Sequence, residues 1–229
     1  MKDSVAKETA VNGAESATPL RKQAEEGLRK AILSGRYDAG ERLKERQLME
    51  TLGVSRTLLR EALRQIEAEG LVTLVPNRGP VVSVLSYEDA EEIYEVRGIL
   101  EGQACVGFVL RASSSHVRKL EGVFAELQRA AQAGDVLRTL ELSSDFYDVI
   151  LEGSGNKVLS SMLKLLHNRI VLLRRTSMSE PGRLPETLDE LTRMFEALCA
   201  RDESAASKAS QHHVRQASRA ALRIMRQRQ

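Results

Sequence analysis

Apolar residues in the first third of the chain recur with the period of an α-helix and then with that of a β-strand. A buried stripe that starts at Leu20 predicts a helix closed by Gly35. A short helix is predicted over 44–51, and Ser55 is the N-cap of a third helix that reaches Glu69. The runs LVTLV and VVSV, joined by PNRGP, then predict a β-hairpin.

The pattern changes after Ser86, which forms a capping-box pattern with Asp89 at the start of a long helix. Helical periods continue from there without an intervening strand pattern. The predicted helices cover residues 87–111, 114–133, 135–152, 156–178, 186–200 and 203–227. The second part of the chain is therefore predicted to be an all-helical bundle.

Together these patterns predict a mainly α fold with two domains and a tail. Residues 1–19 are polar and non-periodic, which is typical of a disordered tail. Three helices and a hairpin over 20–85 predict a winged helix-turn-helix. Residues 86–229 form the predicted all-α domain.

The third predicted helix has two unlike faces. Leu59, Leu63 and Ile66 share one face and are expected to pack on the two preceding helices. The polar residues of the other face are Arg56, Thr57, Arg60 and Arg64. Arginine is well suited to gripping guanine or phosphate, and the last helix of this motif enters the major groove. A plain solvated helix face is the alternative, which the Gly-Val-Ser turn before it and the hairpin after it make less favourable.

Charge and composition narrow the function classes. The chain has 34 basic and 32 acidic residues, but 20–66 hold 11 basic and 7 acidic ones, an excess of four positive charges that weakly favours a polyanion. Cys105 and Cys199 are far apart and predict reduced thiols. Neither a signal peptide nor a bilayer-length apolar run is present, so we expect a cytoplasmic protein with no membrane partner. With no GxGxxG, Walker loop, GxSxG or HExxH motif, an enzyme is not expected.

Several stretches resemble the GntR family of bacterial transcription factors, in the FadR subfamily with an FCD-type effector domain. The first two are LRKAILSGRYDAGERLKERQLMETLGVSRTLLREALRQIEAEGLV (28–72) and PNRGPVVSVLS (76–86). The others are YEVRGILEGQA (94–104), DFYDVILEGSGN (145–156) and ALCARDESAASKASQHHV (197–214). The resemblance implies a homodimer that binds a palindromic double-stranded DNA operator, usually as a repressor released by a small metabolite.

The resemblance also implies which residues would touch DNA. The implied contacts are Arg46, Ser55, Arg56, Thr57, Arg60 and Gly79. Arg64 and Arg78 are added by position, because Arg64 continues the polar face of the third helix and Arg78 lies at the hairpin tip. Arg46 lies on the helix expected to cross the DNA backbone, where a phosphate contact sets the position of the protein.

Many domains of the resembling kind hold a divalent metal with one aspartate and three histidines. Those four positions fall here on Ser143, Tyr147, Leu191 and His213. Only His213 is a usual ligand, since leucine cannot coordinate a metal and neutral serine or tyrosine does so poorly. We therefore expect no metal in the usual site, and no other cofactor.

Arg97 lies between Ile93 and Leu100 on an apolar helix face, so its charge needs a partner. That partner is either Glu101, one turn on, or an anionic ligand such as a carboxylate. The resembling domains use an arginine here near an effector carboxylate, which favours the ligand. The polar wall of the effector cavity would then be Ser143, Tyr147 and His213.

Other arginines are weaker candidates. Arg169, Arg174 and Arg175 lie on a basic helix that is expected to be solvated, as is the Arg215–Arg219–Arg223 stripe. The loss of metal ligands leaves a second hypothesis open. In it the protein is a non-sensing, architectural DNA-binding dimer whose effector site has degenerated.

Overall fold

A computed structural model describes residues 19–227. It divides into two compact units, the first ending at Val84 and the second beginning at Leu85. Except for its last residue, the predicted tail (1–19) lies outside the described part. Pro19 itself is already helical.

The first unit contains three helices and a hairpin, as predicted. Its elements are α1 (19–33), α2 (Glu45–Leu52), α3 (Arg56–Ala68), β1 (Val72–Val75) and β2 (Gly79–Val82). Gly53 ends α2 with a positive φ of 66°, a left-handed conformation that glycine adopts at low cost. Ser55 caps α3, because its side chain accepts a hydrogen bond from the backbone N–H of Leu58 at 3.4 Å.

The core of this unit forms between the helices. Leu28 and Ile32 of α1 are fully buried, as are Leu59 and Leu63 of α3. The prediction was wrong for Leu20, whose side chain is 43% exposed. The buried stripe of α1 therefore begins one turn later than its spacing suggested, since the end of a helix can extend past the surface that it packs on.

Ion pairing and backbone hydrogen bonds attach the remaining segments. Arg29 of α1 makes a two-pronged contact with Glu69 at 2.7 and 2.8 Å, just past the end of α3. The hairpin strands are antiparallel, with Val72 opposite Val82. The segment before α2 also pairs with β2, since Leu43 N–H donates to the Pro80 carbonyl at 2.9 Å. The hairpin is therefore tied to the helices along one edge.

The second unit is helical throughout its described part. Its helices are α4 (Tyr87–Arg111), α5 (Ser114–Gln132), α6 (Val136–Ser154), α7 (Lys157–Met178), α8 (Arg183–Cys199) and α9 (Glu203–Gln227). The predicted capping box at the start of α4 is confirmed, with both Ser86 and Asp89 making their reciprocal bonds. Helix α4 packs along α9 and also contacts α6 and α7.

Two features fix α4 at the centre of this bundle. A side chain at Gly102 would come within 3.3 Å of Ser207 and Gln211, so glycine permits close approach of α9. At the other end, the Arg201 guanidinium donates to the carbonyls of Phe108, Val109 and Ala112 at 2.7–3.2 Å. These bonds satisfy carbonyl groups that a helix end leaves without a partner.

Two helix ends differ from the sequence predictions. The predicted α8 began at residue 186, but the helix starts at Arg183 and holds Pro185 in its first turn. Proline is tolerated there because the first N–H groups of a helix have no partner in the helix. Helix α6 continues to Ser154 and ends at Gly155, inside the predicted break. Over residues 19–227 no helix is long and apolar enough to cross a membrane.

Replacing Leu63 by alanine is expected to lower the free energy of unfolding of the first unit by about 2–5 kcal/mol, because it leaves a cavity beneath α3. Urea denaturation followed by circular dichroism would measure the loss. Leu58→Ala is the matched control on the same helix, since Leu58 is only half-buried. Equal losses in the two variants would contradict the burial pattern of α3.

Candidate functional site

The polar face of α3 projects into solvent. The side chains of Arg56 and Arg60 are 68% and 59% exposed, and Thr57 and Arg64 are exposed as well. The opposite face is closed by Leu59, at 0% exposure, and its neighbours. The prediction of a two-faced helix is confirmed, and its outward guanidinium groups are free to approach a ligand as large as a duplex.

A single carboxylate organises two of these arginines. Oε2 of Glu45, in the first turn of α2, lies 3.4 Å from Nε of Arg56 and 3.7 Å from Nε of Arg60. Both guanidinium groups are mostly exposed, so the pairs contribute little to stability. Arg56 and Arg60 lie one turn apart, so helical spacing brings both beside the same carboxylate.

The other predicted DNA contacts lie on neighbouring elements of the first unit. Arg46 on α2 is 89% exposed and contacts Glu50 of the same helix. Arg78 is exposed in the hairpin loop, between Asn77 and Gly79, which both have positive φ values, of 61° and 83°. The tight turn leaves the loop narrow, a shape suited to a groove edge or a phosphate.

A different kind of polar site lies inside the second unit. All five buried charged side chains among residues 19–227 belong to it, namely Arg97, Glu101, Arg174, Arg183 and Glu190. They come from α4, α7 and α8, so the cluster sits where these helices meet α6 and α9. A buried charge is costly unless it is paired, and each member therefore has to be accounted for.

Arg97 forms the structural pair considered above. Its Nε donates to Glu101 at 2.8 Å, and neither side chain is more than 3% exposed. The carboxylate raises the pKa of Arg97, and in return the pKa of Glu101 is lowered despite burial. The two terminal nitrogens of Arg97 are buried without a hydrogen-bond partner.

Arg183 pairs with Glu190 through two hydrogen bonds. Its two terminal nitrogens donate to the carboxylate oxygens Oε1 and Oε2 at 2.8 and 2.7 Å. Nδ1 of His213 lies 2.8 Å from the same carboxylate. Burial lowers the pKa of His213 and outweighs the opposing effect of Glu190, so the ring is neutral at pH 7. Its Nδ1–H then donates to Glu190, which leaves Nε2 as a hydrogen-bond acceptor.

Arg174 has no carboxylate of its own. Its nearest one is Glu101, at 3.6 Å, which is beyond hydrogen-bond distance and already serves Arg97. Its Nε is buried without a partner, and its terminal NH1 makes one long bond to Ser144 at 3.3 Å. Its guanidinium lies 4.5 Å from the centre of the Tyr147 ring. Burial strongly raises the pKa of Tyr147, so the phenol stays neutral and does not balance the charge.

A cavity opens beside this cluster, with about 300 Å³ of empty space including its mouth. Its apolar wall comes from Leu140, Met178 and Ala217. Its polar wall comes from Ser143, Arg174, Ser177, Arg183, Thr187 and His213. A wall that combines apolar side chains with a few polar groups is typical of a ligand site.

Comparison with known proteins decides the family. The FCD domain model matches residues 92–216, more than half of the chain, and the model for bacterial regulatory proteins of the gntR family matches residues 20–82. The chain belongs to the GntR family. Its first unit is the winged helix-turn-helix of that family and its second unit is an FCD domain. This GntR-family protein is a transcriptional regulator and not an enzyme.

Relatives extend along most of the GntR-family chain. It is 29% identical over 192 residues to the uncharacterized regulator YdhC of Bacillus subtilis, which covers 83% of this chain and 86% of YdhC. The galactonate operon transcriptional repressor of Escherichia coli is 24% identical, over 80% and 88% of the two chains. The E. coli McbR/YncC structure shares the fold, with a TM-score of 0.75 at 24% identity over 91% and 98% of the two chains.

The side chains at the four metal positions do not suit a divalent cation. Ser143 donates its hydroxyl to the Thr139 carbonyl at 2.7 Å, and the nitrogen Nδ1 of His213 is bound to Glu190. Leu191 offers no donor, and Tyr147 is held beside the cationic Arg174. No group of three or more His, Cys, Asp or Glu suited to a metal occurs within the described residues. The donor set and the nearby guanidinium groups both oppose metal binding.

The predicted effector residues are brought together only in part. Ser143 and His213 line the cavity, whereas Arg97 and Tyr147 are not among its lining residues. Tyr147 instead lies near both guanidinium groups, with that of Arg174 4.5 Å and that of Arg97 6.0 Å from its ring centre. The four residues therefore belong to one cluster, in which Arg97 lies deepest.

The sequence interpretation was wrong about Arg174, which was expected to be solvated and is 7% exposed. It also missed Arg183, Thr187 and Glu190. The sequence did contain a signal for these three residues, because spacings of four and three residues place them on one face of a helix. The predicted start of α8 at 186 excluded Arg183 from that pattern.

His213 makes stability depend on pH as the pH falls through the ordinary histidine pKa, 6.5. Because its pKa is lowered on folding, the unfolded chain binds a proton that the folded chain does not as pH falls through the ordinary histidine pKa. The free energy of unfolding is therefore expected to fall on acidification. In His213→Gln this dependence should weaken by up to about 1.4 kcal/mol per pH unit, as measured by urea titrations at several pH values.

His212→Gln is the matched control, because the neighbouring histidine is not fully buried. The control is expected to keep the pH dependence of the unaltered protein. An identical response in both variants would mean that His213 is not the titrating group.

Proposed function

We propose that this GntR regulator is a homodimeric repressor that binds a palindromic operator through α3 and responds to a small organic acid in its FCD domain. The observation that carries the DNA-binding part is the outward row of Arg56, Arg60 and Arg64 behind a capped helix start. The proposed setting is the cytoplasm, where bacterial DNA lies.

The DNA-reading surface combines three elements. The first turn of α3, from Ser55 to Leu58, would enter the major groove, with Arg56 and Thr57 nearest the bases. Arg46 of α2 would contact a phosphate and set the register. Arg78 and Gly79 of the hairpin would follow the adjoining groove or backbone. Arg64, two turns into α3, would reach the phosphates at the groove edge.

Two exposed apolar stripes support a dimer. On α4, Val96, Ile99 and Leu110 are 45%, 65% and 56% exposed and follow a heptad spacing. On α7 the corresponding residues are Val158, Met162 and Leu165, which are 70%, 51% and 81% exposed. The two helices pack on each other. A second copy of the chain is the partner proposed for them, because a two-fold dimer buries the same stripes on both protomers and matches a palindromic operator.

The buried cluster supports an effector-responsive regulator over a purely architectural protein. Three arginines against two carboxylates and a cavity with polar walls are costly features in a domain that only dimerises. The E. coli relative is named as a repressor of a galactonate operon, which agrees with an organic acid as the class of effector. Repression is the mode proposed by the same analogy.

Selection from a random duplex library is expected to return an inverted repeat, with half-site centres about one helical turn apart. Arg56→Ala and Arg60→Ala should each weaken binding to that site by about 1–3 kcal/mol, because each removes a base or phosphate contact. Fluorescence anisotropy at several salt concentrations would measure the affinity and the counterion release.

Arg215→Ala removes the same charge from an exposed position on α9 and is the matched control. It is expected to bind the selected site as tightly as the unaltered protein. Unchanged binding by both α3 variants would exclude α3 as the recognition helix.

Ile99→Glu and Leu165→Glu are expected to split the dimer, since each buries a charge in the proposed interface. Light scattering after gel filtration should then report a mass near that of the single chain, 25.4 kDa. Leu137→Glu is the control, because Leu137 is 53% exposed on α6, outside both stripes. A dimer that survives both interface variants, or a monomeric unaltered protein, would contradict the assignment.

A further inference from the structure

The buried charges of the FCD domain do not balance. Arg97 is neutralised by Glu101, and Arg183 by Glu190. His213 is neutral, and Arg174 is the one other charged side chain that is buried among residues 19–227. Arg174 is therefore left as one uncompensated positive charge. Carboxylates outside the interior do not change this count, since Glu186 beside Arg183 is 71% exposed and its charge is screened by water.

The excess charge faces the cavity. Arg174 is one of the lining residues, and its buried Nε has no acceptor. The Tyr147 ring, whose centre lies 4.5 Å from the guanidinium carbon, carries no net charge and so does not neutralise the cation. The Arg174 guanidinium therefore keeps unused hydrogen-bonding capacity next to the cavity.

Arg174 lies close to the positions that hold a metal ion in the resembling domains. Its guanidinium stacks on Tyr147, one of the four positions at which the resembling domains carry a metal ligand. Another of these positions, Ser143, lines the same cavity. A fixed positive charge is therefore present in the region where a metal would otherwise supply one.

We propose that Arg174 takes over the anion-binding role of a metal, so that this FCD domain binds a small, singly charged carboxylate without any metal ion. The inference deepens the proposed function and rests on it. One negative charge on the ligand brings the cluster to neutrality, whereas a neutral ligand leaves the excess and a divalent metal increases it. The polar wall around His213, Ser177 and Thr187 would hold hydroxyl groups of the ligand.

The first experiment needs no knowledge of the natural effector. Acetate is a small carboxylate with one negative charge, and acetamide is its neutral analogue of nearly equal size. Thermal unfolding of the full-length protein is measured in a buffer with EDTA. At a hundredfold excess over its Kd, acetate is expected to raise Tm by about 5 °C or more relative to acetamide.

Arg174→Met tests the anchor, and Arg175→Met is the matched control one residue along the same helix. The difference between acetate and acetamide should vanish in the first variant and persist in the second. An equal acetate response in both variants, or none in the unaltered protein, would overturn the proposal.

The second experiment tests, without any added anion, whether the buried charge of Arg174 is unpaired. Arg174→Met should unfold at the same or a higher temperature than the unaltered protein, because an unpaired buried charge has been removed. Arg97→Met should unfold at a lower temperature, because it leaves the buried carboxylate of Glu101 without its partner. A loss in Arg174→Met as large as that in Arg97→Met would mean that Arg174 is already paired.

The third experiment addresses the metal. Calorimetric titration of the EDTA-treated protein with Zn²⁺ and with Ni²⁺ is expected to give no binding that depends on His213. Stoichiometric binding of either ion that is lost in His213→Ala would overturn the proposal.

Operator affinity separates this inference from the proposed function. If Arg174→Met binds the selected operator normally but has lost the acetate response, both stand. If no duplex DNA binds to any form of the protein while the anion response depends on Arg174, the DNA-binding proposal fails and the anion site stands.

Discussion

A guanidinium group removed from water has to meet an opposite charge, and this constraint shapes the whole second unit. Arg97 and Glu101 lie one turn apart on α4, while Arg183 and Glu190 lie two turns apart on α8. Each pair is thus supplied by a single helix, and His213 of α9 is added to the second one. The contact of His213 with Glu190 joins α9 to α8, and a shift of one turn between these two helices would break it, so it restricts how they pack.

The first unit uses arginine in the opposite way. Leucines fill the contacts between its helices, so the guanidinium groups of α3 lie on the surface and stay hydrated. The buried arginines of the FCD domain are enclosed by packed side chains, whereas those of α3 are surrounded by solvent. One residue type therefore supplies an adaptable surface in one unit and a rigid, preorganised centre in the other.

Local signals explain how much could be predicted from the sequence. The bounds of α4 and the start of α9 agree with the helical spacing, and the two faces of α3 are visible because leucine and arginine separate cleanly around that helix. Arg174 could not be placed in this way. The buried side chains of α7 cover more than one stripe, as Leu163, Ile170 and Val171 show. Its inward direction is decided by the neighbouring helices, which a single helix pattern does not contain.

The same limit applies to contacts between distant segments. The pair of Arg29 with Glu69 spans 40 residues and left no periodic mark. The wall of the cavity is drawn from four helices, so its composition depends on the packing of all of them. By contrast, the chemistry of the four metal positions could be judged from residue types alone, and the geometry around Ser143 and His213 agrees with that judgement.

The carboxylate of Glu45 has a consequence for how the regulator moves along the chromosome. It lies close to both Arg56 and Arg60, where a DNA phosphate would also bind. With α3 as the proposed recognition helix, DNA of any sequence would have to displace this carboxylate at a small and similar cost, while only a correct site would return hydrogen bonds from its bases. Encounters with the many wrong sites would then be slightly shorter.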